Sequence, residues 1–394
     1  SHAVHENTIK FIPPVPDTGV TTSAFWESPF SKFLIFIGVM WWSHHGTDGG
    51  GYIIQRMSSA KNERHALLAT LWFNLAHYAL RVWPWVIVAV VSIVMFPVIP
   101  DSYSELGAKA GYPLVMNTLL GPGLKGILIV SFLAAFMSTI DTHLNWASSY
   151  IINDIYKRFF KPDESESHYV LVGKISTAIL MVMAAFTAMK MQSISKAWEF
   201  IFSMGAGIGL VLILRWFWWR VNAWSEITAL STSIIVTLIL ETIAGIQTIQ
   251  AGNEYTLFGS APVLFGISLQ IHHKLMIIVP LAVTAWIAAT FFTKPEPNEI
   301  LTKFYQRVQP GGWWGPISQQ IIHTMEPVTH GFIVQWIAGI MMIYGFTFGI
   351  GSLVFTKYSQ AVVLLGFAML GTFLVWNRSI SKLNKTQRTQ TTQS

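Results

Sequence analysis

The sequence contains no cysteine among its 394 residues. Disulfide frameworks, thiol nucleophiles and cysteine-based metal sites are therefore excluded. Charge is scarce as well, because charged residues make up 11% of the chain, whereas an ordinary soluble domain has about a quarter. The basic residues behind the net charge of +6 sit in short segments between apolar stretches and not on one face, so nucleic acid is not an expected partner.

What the sequence has in abundance is apolar and aromatic residues. Half of the chain is hydrophobic (52%), and it contains 17 Trp and 26 Phe, which is typical of membrane helices with aromatic residues at their ends. About nine stretches approach the roughly 20 residues that a membrane helix needs. We place them near 30–55, 66–97, 125–152, 169–191, 197–219, 225–248, 274–293, 331–354 and 359–377.

Lysine and arginine predict the orientation. Sixteen of the 25 basic residues fall into alternate connections, which the positive-inside rule makes cytoplasmic. Arg215 and Arg220 are counted in this set. The tail, residues 379–394, is then expected in the cytoplasm and residues 1–28 outside, in a plasma (inner) membrane. The opening SHAVHENTIKFIPPVPDTG has neither an initiator Met nor a signal sequence, so we interpret it as the remnant of a loop in a longer protein.

The stretch FLAAFMSTIDTHLNWASSYIIND, residues 132–154, spans a membrane length yet carries polar side chains. At helical spacing they share one stripe, formed by Ser138, Asp141, Thr142, Asn145, Ser148 and Ser149. Single hydroxyls often serve helix packing. A stripe with an intramembrane carboxylate indicates a functional site that faces the bundle interior or water. Hydroxyl, carboxylate and backbone oxygens suit a hard cation such as sodium.

A second polar intrusion, WWSHHGTDGGG at residues 41–51, interrupts the first span. Glycines let a helix unwind and expose its backbone to a ligand. The hydrogen-bonding side chains of this segment are Ser43, His44, His45, Thr47 and Asp48. A solvated helix end is the alternative interpretation. The pair His272-His273 is expected to lie in a loop before a helix, in contact with solvent.

Three blocks now resemble a known family. AAFMSTIDTHLNWASSYIINDIYKRF, GGGYIIQRMSSAKNERHA and EFIFSMGAGIGLVLILRWFWWRVNAWSE are similar to segments of the sodium:solute symporters, which include sugar, proline, pantothenate and sialic acid cotransporters. The blocks span about 50–225 in the family's order.

The resemblance implies an all-α integral membrane protein with the LeuT-type inverted-repeat transporter fold. Residues 29–222 would form the second five-helix repeat and residues 223–378 four accessory helices, between an extracytoplasmic loop remnant (1–28) and the cytoplasmic tail. The amino-terminal core helices, which supply part of the sodium site in relatives, would be missing, so this chain alone is not expected to transport.

The resemblance also implies site residues. Ala135 (carbonyl), Ser138 and Thr139 match the sodium ligands of the family's eighth core helix, and Asp141 and Thr142 match a second sodium site in some members. Asp141 replaces the usual hydroxyl, and it would strengthen cation binding, take a proton or pair with Arg81. The break at Ser43, His44, His45, Thr47 and Asp48 lies on the substrate side of core helix six, and Trp198 matches a sugar-contacting position.

We therefore predict a sodium-coupled symporter, not an enzyme, that imports a small polar organic solute by alternating access. Sodium is the expected ion, with no other metal, and the bilayer is the expected surrounding. The alternatives are an uncoupled facilitator and a symporter-like sensory module. A membrane metalloenzyme is a further alternative, suggested by the two His-His pairs.

Overall fold

The structure is a computed structural model that describes residues 12–16, 22–191, 193–253, 261–264, 266–308, 310–320 and 332–377. The predicted cytoplasmic tail and much of the predicted loop remnant 1–28 lie outside the described residues. Apart from one hairpin, the regular structure is helical, and the all-α prediction is confirmed. The hairpin pairs β1 (Val263–Leu264) with β2 (Ile267–Ser268).

Among the described residues, eight helical segments are long and apolar enough to cross a membrane. They agree with eight of the nine predicted spans and cover Glu63–Met95, Pro122–Phe160, Glu166–Lys190, Ile194–Phe217, Ala223–Gln250, Ile271–Phe292, Ile333–Val354 and Tyr358–Val375. The remaining predicted span, 30–55, is divided into shorter helices at the predicted glycine-rich break.

The chain begins with short helices around that break. Ser28 caps the second helix by accepting a hydrogen bond from the backbone N–H of Ser31, and Pro29 occupies the first helical position, where its missing N–H costs nothing. Two π-helical turns, Phe36–Met40 and Leu75–Leu80, interrupt this part. Its helices are α1 (Thr22–Glu27), α2 (Pro29–Ile35), α3 (Trp41–Ser43), α4 (Gly50–Ser58), α5 (Glu63–Asn74) and α6 (Val82–Met95).

The middle of the chain holds two membrane-length segments, of which Pro122–Phe160, with 39 residues, is the longest among the described residues. Pro122 begins α8, and a π-helical stretch, Ile151–Phe160, extends that helix to its end. Ser165 caps α9 by accepting from the N–H of His168. A 3-10 segment (Asp101–Ala110) precedes the helices of this part, which are α7 (Gly111–Leu119), α8 (Pro122–Tyr150) and α9 (Glu166–Lys190).

The remaining helices include two short ones outside the apolar spans. Those two, α14 and α15, pack together in a small buried cluster that includes Tyr305 of α14 and Trp314. The indole N–H of Trp314 donates to the carbonyl of Trp216 at 3.0 Å. The helices are α10 (Ile194–Met204), α11 (Gly209–Phe217), α12 (Ala223–Gln250), α13 (Ile271–Phe292), α14 (Asn298–Val308), α15 (Gly315–Ser318), α16 (Phe332–Val354) and α17 (Tyr358–Val375).

The described residues divide into two compact units. The first takes its described residues from Val88–Trp198 and Ala244–Ala261, and the second from His5–Ile87, Glu199–Ile243 and Pro262–Ser394. In the first unit, α8 contacts α9, where the Ser148 hydroxyl donates to the carbonyl of Gly173 at 3.0 Å. The residues around the break belong to the second unit, and those of the α8 stripe belong to the first.

In the second unit, α12 and α13 form the frame on which the broken helix packs. Ile35 of α2 lies in one buried apolar cluster with Leu240 of α12 and Ile278 of α13. Asn222 ties the start of α12 to the end of α13, because its side-chain amide donates to the Thr293 hydroxyl at 2.8 Å. The helix break is therefore supported by buried packing on one side.

Two expectations from the sequence were wrong. His272 lies in the first turn of α13, not in a loop, and it is buried with its Nε2 3.1 Å from the carbonyl oxygen of Trp26. Arg215 lies within α11, not in a loop, and its guanidinium forms ion pairs inside the second unit. Both residues form contacts with other parts of the protein, whereas their positions in the sequence predicted contact with water.

Candidate functional site: a broken helix and a polar helix stripe

The helix break at residues 44–49 has the geometry of an unwound segment between two half-helices. After Ser43, the backbone of His44 turns to an extended conformation (φ −88°, ψ 165°). At the other end, Gly49 (φ 97°) precedes the first residue of α4, in the left-handed region that favours glycine. The end of α3 and the start of α4 therefore leave backbone groups without helical partners, which is where a ligand can bind.

Internal hydrogen bonds shape the loop between the two half-helices. The Gly46 N–H donates to Nδ1 of His44 at 2.9 Å, and the Thr47 hydroxyl donates to the carbonyl of His44. The Gly50 N–H donates to Oδ1 of Asp48 at 3.0 Å, so this carboxylate satisfies one N–H group at the start of α4. These contacts place Thr47 and Asp48 in backbone-ordering roles within the break.

The two adjacent histidines differ in exposure. His44 is half-buried, with its ring edge-on to Phe202 at 6.1 Å between centroids, whereas His45 is exposed. Ser43 is buried, and its hydroxyl has no hydrogen-bond partner among the described residues. A buried hydroxyl without a partner is costly and is available to a ligand or a water molecule. The break thus combines the exposed imidazole of His45, which can donate and accept hydrogen bonds, with the Ser43 hydroxyl, which has no partner among the described residues.

The amino end of α11 comes into direct contact with the break. A side chain added at Gly209 would place its first carbon 2.6 Å from the carbonyl carbon of Ser43 and 2.7 Å from the carbonyl oxygen of His44. Only glycine permits this approach. The backbone of the break therefore lies against the backbone of α11.

An ion-pair network anchors the other end of the break. Nη2 of Arg215 lies 2.7 Å from Oδ2 of Asp48, and its Nη1 lies 2.9 Å from Oε1 of Glu226 on α12. The Asp48 side chain is only 9% exposed, so its negative charge is stabilised by the neighbouring guanidinium of Arg215. We name these three residues the Arg215 network.

Trp198, the remaining residue of the predicted solute site, lies in α10. Its side chain is 55% exposed. It belongs to the first unit, whereas Ser43, His44, His45, Thr47 and Asp48 belong to the second. The structure brings those five together within one short segment.

The predicted sodium ligands lie on α8, within about two helical turns. Thr139 donates its hydroxyl proton to the carbonyl of Ala135 at 2.9 Å, and Thr142 donates to the carbonyl of Ser138 at 2.8 Å. Ala135, Ser138 and Thr139 are exposed, and Thr142 is half-buried. A hydroxyl that donates its proton keeps its oxygen lone pairs, so these side chains remain able to coordinate a cation.

Asp141 is also exposed on this stripe and is held by a neighbour. The side-chain amide of Asn145 donates to Oδ1 of Asp141 at 2.9 Å, one helical turn away. Arg81, considered as a partner for Asp141, has its guanidinium 5.6 Å from the ring centroid of Trp85. The Asn145 contact orients the carboxylate without neutralising its charge.

The carboxyl-terminal half of the stripe borders a cavity. Its volume is about 440 Å³, and it lies between α8 with its π-helical extension and α9. The polar side chains in its wall are Asn145, Ser148, Ser149, Asn153, Lys174 and Thr177. This half of the stripe therefore borders a cavity that has polar side chains in its wall.

A comparison with known protein families provides evidence beyond these contacts. The model of the sodium:solute symporter family matches residues 8–235, more than half of the 394 residues. The chain belongs to the sodium:solute symporter family. The match covers both the broken helix and the polar stripe of α8. Together with the eight apolar helices, membership makes the chain an integral membrane protein of the all-α transporter class.

Individual members of the sodium:solute symporter family are similar at moderate identity. The osmoregulated proline transporter OpuE of Bacillus subtilis is 26% identical over 39% of this chain and 33% of its own length. The sodium/glucose cotransporter 4 of Danio rerio is 25% identical over 66% of this chain and 40% of its own length. The sodium/proline symporter of Haemophilus influenzae is 35% identical over 27% of this chain and 21% of its own length. The chain therefore spans well under half of each of these relatives.

Sequence reasoning missed three residues that the structure joins to the break. Arg215 was counted only as a charge for orientation, and neither Glu226 nor Gly209 was considered for a site. A signal existed, because Arg215 interrupts the apolar run GLVLILRWF and charged residues within membrane helices are usually functional. The sequence could not show which acid it meets, since Asp48 is 167 positions away.

Proposed function

We propose that this member of the sodium:solute symporter family couples sodium movement to the import of a small polar organic solute by alternating access. The observation that carries the proposal is the unwound segment at residues 44–49, which places polar side chains, among them the exposed His45, between two half-helix ends. Broken helices of this kind form the ion and solute sites of transporters with inverted repeats.

Sodium is assigned to α8. The carbonyl of Ala135 and the hydroxyls of Ser138 and Thr139 form the first set of ligands, and Asp141 and Thr142 supply a second cation or proton site. All of these oxygens project from one helix, which cannot surround an ion. A second element must therefore contribute ligands, and the amino-terminal helices of the inverted repeat are the elements we propose.

The solute is assigned to the broken helix. Its side chains at Ser43, His44, His45, Thr47 and Asp48 provide hydrogen-bond donors and acceptors. Trp198 is proposed as a further solute contact. The similar proteins are named as transporters of proline or glucose, and both solutes are small and polar. We propose the same solute class here.

The arrangement in the membrane is part of the proposal. The core repeat occupies residues 29–222, the accessory helices follow to residue 378, and the tail lies in the cytoplasm. The inner or plasma membrane is the proposed location, because coupling to sodium requires a gradient across that membrane.

Uptake into proteoliposomes tests this function. The full-length protein is reconstituted, and uptake of labelled proline and glucose is compared under an inward sodium gradient and a matched potassium gradient. We expect sodium to stimulate the uptake of one solute at least tenfold. Equal uptake under both gradients would instead indicate an uncoupled facilitator.

The His45→Ala variant tests the assignment of the solute site. We expect the apparent KM for the solute to rise about tenfold, which is about 1.4 kcal/mol, because the solute loses a hydrogen-bond partner. Sodium binding measured without solute should not change. His65→Ala is the matched control, because His65 lies at the start of α5 and bonds to Asn62. An equal loss in both variants contradicts the assignment.

A further inference from the structure

One guanidinium connects the helix break to a helix outside the predicted core repeat. Arg215 donates to Asp48 at 2.7 Å and to Glu226 at 2.9 Å, through different nitrogens. Asp48 belongs to the loop of the break, and Glu226 lies in the first turn of α12. The planar guanidinium suits two carboxylates at once, and a lysine ammonium has no equivalent fork.

Both carboxylate oxygens of Asp48 accept a hydrogen bond. One carboxylate oxygen accepts from Arg215, and the other accepts from the backbone N–H of Gly50 at the start of α4. With the side chain 9% exposed, loss of Arg215 would leave a nearly buried charge without its partner. The carboxylate would have to move toward water, and the start of α4 would move with it.

The other described contacts of the loop with neighbouring helices involve no charge, since Gly209 meets its backbone and Phe202 meets the ring of His44. Gly46, Gly49 and Gly50 give it an adaptable backbone, and the hydrogen bonds that involve His44 and Thr47 are local to the loop. Within the described residues, the Asp48–Arg215 ion pair is the charge-assisted contact between this loop and another helix. His44 and His45 belong to the same loop, a few residues before Asp48.

We propose that Arg215 is a positioning residue for the solute site: it fixes the break through Asp48 and is itself fixed by Glu226. The accessory helix α12 then helps to set solute affinity without touching the solute. This inference rests on the proposed function, in which the break binds the solute. It predicts that Glu226, at the far end of the network, affects the break as well.

A single cysteine reports the conformation of the break independently of transport. These 394 residues contain no cysteine, and His45 is exposed, so His45→Cys gives one reactive thiol once any cysteine outside these residues has been replaced by serine. The rate of its labelling by N-ethylmaleimide is measured in purified full-length protein carrying Arg215→Gln, Arg215→Lys or Glu226→Gln. Arg220→Gln is the control, because Arg220 is a nearby arginine that bonds to the carbonyl of Phe291 instead.

We expect the labelling rate to change at least fivefold in Arg215→Gln, and in the same direction in Glu226→Gln and Arg215→Lys. The control should stay within twofold of the parent. If the Arg215→Gln variant does not fold, the labelling rate of the milder Glu226→Gln variant still tests the proposal. Rates within twofold of the parent in both Arg215→Lys and Glu226→Gln overturn the proposal.

Uptake by the same variants with His45 intact links the break to the solute. We expect the apparent KM to rise at least fivefold in Glu226→Gln with a smaller change in maximal rate. If Glu226→Gln alters the labelling rate but leaves the apparent KM unchanged, the proposed role of Arg215 in solute binding is overturned. If the parent shows no sodium-driven uptake, the proposed function fails, whereas the labelling result still judges the positioning of the break.

Discussion

At the scale of single residues, the α8 stripe shows how a hydroxyl can belong to a helix and still bind an ion. Thr139 uses its proton in a hydrogen bond to Ala135, which leaves its oxygen lone pairs directed outward. The spacing of the polar residues predicted a common stripe. It did not predict the Asn145–Asp141 hydrogen bond or the packing of Ser148 on α9, since both depend on rotamers and on a neighbouring helix.

The pair Ser138→Ala and Thr139→Val tests the sodium ligands. Thr139→Val keeps the shape of the side chain and removes its oxygen. We expect the double variant to need more than tenfold higher sodium for half-maximal uptake, which is about 1.4 kcal/mol or more. Half-activation by sodium is the measurement.

Matched controls for this pair lie in the same unit. The hydroxyls of Ser131 on α8 and Thr187 on α9 are also exposed and also donate to a carbonyl of their own helix. Ser131→Ala with Thr187→Val should leave sodium activation unchanged. If both double variants respond alike, the loss reflects helix stability and not ion binding.

At the scale of helices, the position of the break is determined by a close backbone approach. The first residue of α11, Gly209, lies against the backbone of Ser43 and His44 at the end of α3. The glycines within 41–51 predicted the break from sequence, because a continuous helix does not favour them. The partner helix could not be predicted, since a glycine in an apolar run has many possible reasons.

Gly209→Ala should disturb the break. The added methyl group would meet backbone atoms, which cannot rotate away as a side chain can, so we expect a loss of about 1–3 kcal/mol in stability. The measurement is the thermal unfolding midpoint in detergent, together with the labelling rate of His45→Cys.

Gly339→Ala in α16 is the control for this substitution. A side chain there would meet no atom within 4 Å, and alanine is favoured over glycine in a helix by about 1 kcal/mol. We expect its unfolding midpoint to stay the same or rise. A midpoint for Gly209→Ala at or above that of Gly339→Ala would contradict the close approach.

At the scale of the whole molecule, hydropathy predicted the helices well and tertiary contacts poorly. Eight predicted spans became continuous apolar segments because their length and composition demand a non-aqueous surrounding. Arg215 and His272 were misplaced for the opposite reason. Each sits near a helix end, where sequence alone suggests water, and each is instead held by a residue far away in the chain. Polar residues in membrane proteins are positioned by such partners.

The distribution of basic residues predicts the orientation of the whole chain, and two single cysteines test it. Asp163 lies in the exposed connection between α8 and α9, beside Lys157, Arg158 and Lys161, which the positive-inside rule places in the cytoplasm. Asn253 is exposed after α12, in a connection that the same rule places on the opposite side. In intact cells, a membrane-impermeant maleimide should label Asn253→Cys and not Asp163→Cys, and both should react after the membrane is opened. The reverse pattern would invert the proposed orientation and place the carboxyl-terminal tail outside the cell.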